Sequence, residues 1–205
     1  MGAGGFPAAT ATARDLPDGV VYQSEPLDDD MTIAGPILFQ MYASLLGTDT
    51  DFFVSLHDVD DKGNVSYLQR GVLKASHRDV DPLRSFYADD NGSKVMVQPY
   101  RPHTSPRLVP PGEVIKYDLE IWPVGHIFRK GHSLRIQIHT PPAIDGIWGY
   151  TATHHQPAVV NVHHSSQYPT NLMLPVVTDV KPGTAAPNTD CRVPGGFACV
   201  PGSGF

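Results

Sequence analysis

Serine, histidine and aspartate side chains are all present in this chain, so nucleophilic catalysis is the first chemistry to consider. A serine hydrolase of the α/β type holds its nucleophile in a Gly-x-Ser-x-Gly turn between a strand and a helix, which lifts the hydroxyl clear of the sheet. The chain contains no such pentapeptide, and the similar run Pro-Gly-Ser-Gly at residues 201–204 has no predicted strand before it and no predicted helix after it. We therefore assign no catalytic residue and expect the chain not to be catalytic alone.

Two pairs of adjacent histidines, His154-His155 and His163-His164, are the densest groups of metal-ligating side chains. Neighbouring residues on a strand point to opposite faces of the sheet, so at most one member of each pair can join a common site. The spacing of the pairs matches no established zinc pattern. We interpret them as part of a polar surface, and we predict neither a metal nor another cofactor.

Two acidic groups supply the oxygen ligands that calcium prefers: residues 28–30, and the set Asp58, Asp60 and Asp61. Neither group has the spacing of an EF-hand loop. The run Asp-Asp-Lys-Gly at residues 60–63 is typical of a hairpin turn, in which Gly63 supplies a positive φ. Calcium held by scattered oxygens of a sandwich is left open as an alternative.

Trp148 and Tyr150 lie in a predicted long loop, residues 141–156, and together with Trp122 they are suited to stacking on a sugar ring. Large aromatic residues in a sandwich more often pack in the core or at its rim. We therefore predict Trp148 and Tyr150 as a contact with a ligand or with another domain. Paired carboxylates for glycoside hydrolysis are judged by the distance between them, which a sequence does not supply.

Asp49 and Asp51 stand in a loop between two predicted strands. Short acidic side chains in such loops accept backbone N–H groups or pair with a buried arginine. Arg129 or Arg135 would be that arginine. We interpret these four residues as structural rather than catalytic.

The strands that must position these side chains have their clearest sequence pattern between Pro111 and His139. Apolar residues alternate with polar ones at 115–121 and again at 134–138, which predicts two strands, each with one buried face and one wet face. A basic turn at residues 128–132 joins them. Two such strands need a second sheet to cover their apolar faces.

The rest of the chain supplies that second sheet as a series of short apolar runs. We predict strands near residues 20–22, 31–45, 52–57, 64–76, 94–98, 158–163 and 171–177, with a break or bulge at Gly35-Pro36. Asp81-Pro82 fits the start of a helix of one or two turns that ends at Ala88. About nine strands with no strand–helix alternation predict an all-β, antiparallel sandwich of the jelly-roll type.

Composition and charge limit the partners and the compartment. A net charge of −6 and a pI near 5.9 give no nucleic-acid footprint, and no run of 18 apolar residues predicts a membrane span. The N-terminus lacks the basic start and apolar run of a signal peptide. The compartment is therefore cytoplasmic by default, with a secreted parent left open.

Three segments are predicted along the chain: a flexible lead-in at residues 1–18, the sandwich at 19–178, and a Gly/Pro-rich tail at 179–205. The chain's two cysteines, Cys191 and Cys199, both lie in the tail. A disulfide between them and a reduced pair remain equally open, because the redox compartment decides between them.

A series of short motifs runs through the chain in a characteristic order from Val20 to Val177. It comprises Ser-Glu-Pro-Leu at 24–27, Gly35-Pro36, Thr-Asp-Thr-Asp-Phe at 48–52, Val59-Asp60 with Gly63, Gly-Val-Leu at 71–73, Pro-Gly-Glu at 111–113, Trp122-Pro123, Phe-Arg-Lys-Gly-His at 128–132, Arg135, His164, Leu172 and Leu-Pro-Val at 174–176. This series closely resembles the C-terminal non-catalytic domain of the X-Pro dipeptidyl-peptidase and cocaine-esterase-like serine hydrolases. The chain departs from that pattern at Asp79–Arg107, which is longer than usual, and in its cysteine-bearing tail.

The resemblance implies a galactose-binding-domain-like jelly roll that follows an α/β-hydrolase domain and a helical cap. The catalytic triad of such enzymes belongs to the α/β-hydrolase domain, and none of it matches a position here. The implied role is that of an accessory domain that packs on the catalytic domain, in cis or in trans, and shapes its active-site cleft. A free-standing module that binds carbohydrate or a cell surface is the alternative, and a homo-oligomer through an exposed apolar face is left open.

Overall fold

A computed structural model describes residues 2–4, 19–139 and 159–178. Within these ranges the chain forms strands β1 (Gly2–Gly4), β2 (Gly19–Gln23), β3 (Met31–Leu45), β4 (Asp51–Val59), β5 (Val65–Lys74), β6 (Asp81–Asp90), β7 (Ser93–Tyr100), β8 (Ile115–Phe128), β9 (Ser133–His139), β10 (Val160–His163) and β11 (Asn171–Leu174), with a 3₁₀ turn at Ala75–His77. No helix in the described part is long and apolar enough to cross a membrane.

The strands form two larger antiparallel sheets and one hairpin. In the first sheet, β3 pairs with β8 along one edge and with β10 and β11 along the other, and β1 pairs with β11. The second sheet has the order β2-β9-β4-β5. Strands β6 and β7 pair only with each other. The predicted all-β, antiparallel sandwich is confirmed.

The core lies between the two larger sheets, because each of them presents alternate apolar residues to the other. The first sheet contributes fully buried residues such as Phe39 and Leu119, and the second contributes Phe52 and Leu56. Phe52 meets Tyr117 edge-on across the core, with ring centroids 4.8 Å apart. The predicted inward positions at 117, 119, 121, 134, 136 and 138 are all buried, and Ile115, predicted on the same face, is half-buried.

The outer face of β9 was predicted to be wet, and this is wrong for Gln137, which is only 9% exposed. The reason is that β9 is an inner strand of its sheet. Gln137 lies between Val21 of β2 and Ser55 of β4, so side chains flank it on both sides. Arg135 on the same face is half-buried.

Three backbone irregularities fall at glycines that the sequence analysis placed in a bulge or a turn. The register between β3 and β8 shifts between Gly35 and Ile37, which confirms the predicted bulge. Gly63 has φ +83° in the β4–β5 turn, and its N–H donates to the carbonyl of Asp60 at 3.0 Å. Gly131 has φ +83° in the tight turn between β8 and β9.

The predicted helix from Asp81 to Ala88 is wrong, because this segment is strand β6. The carboxylate of Asp81 accepts the N–H of Leu83 at 3.0 Å, an interaction that begins a turn as readily as a helix. No pairing with β7 occurs between Asp81 and Phe86, so Pro82, which has no N–H, removes no ladder hydrogen bond. Pairing with β7 from Phe86 onward then decides the conformation.

Candidate functional site

The loop before β4 is fastened by Asp49. Its carboxylate accepts the backbone N–H and the hydroxyl of Ser76, each at 2.8 Å, and lies 3.3 Å from the ammonium of Lys74. Burial alone would raise the pKa of Asp49, but the hydrogen bonds from Ser76 and Lys74 outweigh it and lower the pKa below its usual value. Asp49 therefore joins the loop to the end of β5 as a charged group.

Lys74 is a cation beside both acidic residues of this loop, and it lies 3.5 Å from Asp51. Arg129 pairs instead with Asp30, at 2.9 Å, in the turn between β8 and β9. The N–H of Lys130 donates to the same carboxylate, and this hydrogen bond together with Arg129 lowers the pKa of Asp30. Arg135 donates through Nε to the side chain of Gln23 at 3.0 Å. The contacts given for Arg129 and Arg135 are thus with residues outside this loop, and the pairing of the loop with an arginine stays a prediction.

A buried carboxylate that bridges two histidines is a feature that the sequence reasoning missed. Asp58 is 7% exposed, and its two oxygens lie 2.8 Å from His126 Nε2 and from His132 Nδ1. The group ties the end of β4 to β8 and to the β8–β9 turn. Asp60, by contrast, accepts the N–H groups of Lys62 and Asn64, so it serves its own hairpin turn.

Two serines lie within hydrogen-bond distance of histidines. Ser44 Oγ is 2.9 Å from His163 Nε2, and Ser55 Oγ is 2.8 Å from His57 Nε2. A nucleophilic serine needs an accessible hydroxyl, a base oriented by a third group, and nearby donors for an oxyanion. Ser44 and Ser55 are 6% and 7% exposed. Ser55 stands in the middle of β4 and Ser44 one residue before the end of β3, and neither lies on a strand-to-helix turn. These pairs are therefore best explained as hydrogen bonds that satisfy buried hydroxyls.

The β6–β7 hairpin carries the most exposed apolar side chains of the described part. Leu83 is 95% exposed and Phe86 is 67% exposed, and Tyr87 next to Phe86 is 44% exposed. Trp122 on β8 is a further exposed aromatic residue, at 47%. We call these four residues the hairpin patch. Large apolar residues in a group of this kind usually mark an interaction surface.

Strand β7 anchors this hairpin on the outer face of the first sheet. Gln98 of β7 donates to Glu120 of β8 at 2.8 Å, and Phe86 is the antiparallel partner of Gln98. Because Trp122 lies two residues beyond Glu120 on the same strand, it shares this face with the hairpin. Arg101, just after β7, donates to the backbone carbonyl of Asp118, and burial lowers the pKa of its guanidinium. The patch is therefore presented on a held support rather than on a loose loop.

Several predicted residues lie outside the described residues. They are Trp148 and Tyr150, the histidine pair at 154–155, and Cys191 and Cys199. The roles predicted for them remain predictions. Within the described ranges, no group of three or more His, Cys, Asp or Glu side chains is arranged to hold a metal ion.

The described residues form a two-sheet sandwich that carries an exposed apolar hairpin. Residues 3–172 match the family of X-Pro dipeptidyl-peptidase C-terminal non-catalytic domains. This match covers most of the chain, and the chain belongs to that family. The resemblance noted in the sequence is thereby confirmed.

Similar proteins are named as esterases. A serine esterase of Mycobacterium bovis and one of Mycobacterium tuberculosis are each 29% identical over 165 residues, which cover 77% of this chain and 24% of the relative. The cocaine esterase of a Rhodococcus species is 21% identical over 180 residues, which cover 83% of this chain and 28% of that enzyme. The chain thus spans about a quarter of the length of these curated relatives.

Solved structures support the fold. A CocE/NonD family hydrolase from Staphylococcus aureus superposes with a TM-score of 0.68 at 19% identity, covering 78% of this chain and 30% of that one. An aminopeptidase from a marine sediment archaeon of the Thaumarchaeota superposes with a TM-score of 0.60 at 20% identity, covering 80% of this chain and 26% of that one. In both cases the likeness covers under a third of a larger hydrolase chain.

Proposed function

We propose that the chain is an accessory C-terminal β-sandwich of a serine hydrolase. It packs on an α/β-hydrolase domain and shapes one side of its active-site cleft, and the reaction of the assembled enzyme is hydrolysis of a peptide or an ester. The observation that carries the proposal is the match to a non-catalytic family over residues 3–172, in a chain that spans about a quarter of relatives named as esterases. The missing nucleophile elbow agrees with this assignment.

The hairpin patch is the surface that we assign to this packing. Its residues stand outside the core between the two larger sheets, so they are not needed to close that core. Burial of one large apolar side chain is worth about 2 kcal/mol, so several of them buried together can hold two domains in a fixed relation. The hairpin lies within Asp79–Arg107, the segment that is longer than the family pattern implies.

A chimaera tests the proposal. The C-terminal region of the Mycobacterium tuberculosis serine esterase would be replaced by residues 19–178 of this chain, and the chimaera compared with the same esterase truncated before that region. We expect the chimaera to unfold at a higher temperature than the truncated enzyme and to hydrolyse a chromogenic acyl ester faster. Both gains follow if the sandwich covers apolar surface on the catalytic domain and supports its cleft.

Two variants of the chimaera separate packing from mere attachment. Phe86→Ser removes an apolar side chain of the hairpin patch, and Val65→Ser removes one that is 43% exposed at the start of β5, away from that patch. Phe86→Ser should abolish much of the gain and Val65→Ser should keep it. A chimaera that is no more stable and no more active than the truncated enzyme would refute the proposal.

A further inference from the structure

Two histidines face each other at the base of the β6–β7 hairpin. His77 ends the 3₁₀ turn just before β6, and His103 lies in the loop just after β7. Their Nδ1 atoms are 3.4 Å apart, which is long for a hydrogen bond between ring nitrogens. The two residues therefore lie at the two ends of the hairpin, and a bond between their rings would connect those ends.

The backbone around this pair is held in place from both sides. The N–H of Arg107 donates to the carbonyl of Ser76 at 2.7 Å, and the guanidinium of Arg107 pairs with Asp79. Arg78 donates to the carbonyls of Ala75 and Arg107. His103 itself has φ +54°, a left-handed conformation that few residues other than glycine adopt without cost. The close approach of the two rings is thus built into the loop.

The separation of the nitrogens is the one that a metal ion requires. Two imidazole nitrogens at about 2.05 Å from a tetrahedral zinc ion lie roughly 3.3 Å apart. If each ring also points its Nδ1 lone pair at that ion, the ring centroids lie roughly 5.3 Å apart, since each centroid is about 1.2 Å behind its nitrogen. The observed centroids are 5.3 Å apart, with an angle of 39° between the ring planes. Both distances agree with one shared ion.

We propose that Nδ1 of His77 and Nδ1 of His103 together bind one divalent ion of the Zn²⁺, Ni²⁺ or Cu²⁺ class. Imidazole is a ligand that these ions favour over calcium or magnesium. No third His, Cys, Asp or Glu completes the site within the described ranges, so water fills the remaining positions. The bound ion clips the two ends of the hairpin together, because it connects the turn before β6 to the loop after β7. This inference does not depend on the proposed function.

The test measures Zn²⁺ binding by titration calorimetry on the full chain and on three variants. His77→Gln and His103→Asn each remove one ligand, and asparagine tolerates the left-handed φ at position 103. His164→Gln is the matched control, because His164 is an exposed histidine elsewhere in the fold. We expect the wild type to bind one Zn²⁺ ion per chain. Each ligand variant should lower the affinity for Zn²⁺ by more than about tenfold, or about 1.4 kcal/mol, and the control should leave it unchanged.

Two further readouts locate the ion. The imidazole ¹⁵N spectrum should show the Nδ1 signals of His77 and His103 shifting on addition of Zn²⁺. Coordination uses the Nδ1 lone pair and displaces any proton that the nitrogen carries. Amide hydrogen exchange in β6 and β7 should slow in the presence of Zn²⁺, because the clip restricts local opening of the hairpin. Unfolding curves of the variants without metal check that they fold. Equal Zn²⁺ affinity in the wild type and in both ligand variants would overturn the proposal, and so would unshifted Nδ1 signals.

Discussion

Gly71 lies where strand β5 of the second sheet closely approaches strand β8 of the first. A Cβ atom at this residue would lie 1.9 Å from the carbonyl oxygen of Glu120 and 2.6 Å from a methyl carbon of Leu119. Unstrained carbon contacts begin near 3.5 Å, so alanine requires the backbones of β5 and β8 to separate by roughly 1.5 Å. The obstacle is the main chain of β8, which cannot move aside as the end of a flexible side chain can. Strand β8 is also held along its other edge by β3.

We expect Gly71→Ala to lower the free energy of unfolding by about 3 kcal/mol, the upper end of the usual range for overpacking. With a urea m-value of about 2 kcal/mol/M, the midpoint should fall by about 1.5 M. The melting temperature should fall by about 9 °C, since about 3 °C per kcal/mol is typical of a chain of this size. Urea titration followed by tryptophan fluorescence, repeated by calorimetry, measures both quantities.

Gly125→Ala on β8 is the matched control. A Cβ there meets nothing within 4 Å, and the glycine does not have a positive φ. This variant should stay within about 0.5 kcal/mol of the wild type, or be slightly more stable because alanine restricts the unfolded chain. A Gly71→Ala protein as stable as Gly125→Ala would refute the close approach of β5 to β8, and with it the way in which the sandwich closes on this side.

Two buried groups give the remaining predictions. Burial raises the pKa of Tyr117 to about 12, so its neutral form stabilises the fold fully below pH 10, and this contribution of about 2–3 kcal/mol is lost between pH 10 and 12. Tyr117→Phe also removes a buried hydroxyl that has no hydrogen-bond partner among the described residues. The variant should therefore unfold at a higher pH than the wild type in an alkaline titration followed by circular dichroism. An unchanged alkaline midpoint would contradict this. Asp49→Asn should lower the free energy of unfolding by about 2 kcal/mol at pH 7, because Ser76 and Lys74 lose a charged partner. Asp51→Asn, the matched control, should lower it by less than about 0.5 kcal/mol. Because the folded pKa of Asp49 is lowered, the difference between wild type and Asp49→Asn in urea should be complete above pH 5 and shrink as the pH falls below 4, and a pH-independent difference would argue against it.

The sandwich itself was predictable because its strands carry their own pattern. Period-two alternation in β8 and β9 assigned the inward residues correctly, from Tyr117 to Ile138. Gly35-Pro36 located the bulge of β3, since a proline in an inner strand removes a ladder hydrogen bond. Gly63 located the β4–β5 turn through its positive φ. In each case the physical cause acts within a few residues of chain.

The errors arose where pairing between strands distant in sequence determines the conformation or the burial of a residue. The segment after Asp81 has the same local signal for a turn and for a helix start, and only its partner β7 makes it a strand. Gln137 was expected to be wet because its polarity suggested an outer face, yet the position of β9 between two other strands buries it. Neither the sheet order nor the neighbours of a strand can be read from its own alternation.

The side-chain clusters were missed for the same reason. His77 and His103 are 26 residues apart, and Asp58 is 68 and 74 residues from its two histidines. Their meeting depends on strand register and on the length of the hairpin, and no short motif records it. A weak signal was present, because His126 and His132 flank a tight turn and the neighbouring strand β4 carries an aspartate next to its last residue.

We propose that this sandwich serves a hydrolase without being catalytic alone. The most direct test incubates the purified chain with a fluorophosphonate, reads the adduct by intact mass, and follows hydrolysis of a chromogenic acyl ester and an X-Pro anilide in parallel. We expect no adduct and no turnover, because Ser44 and Ser55 are buried hydrogen-bonding groups and the chain has no nucleophile elbow. A stoichiometric adduct on any serine, with turnover that is lost when that serine is replaced by alanine, would contradict it and identify the nucleophile.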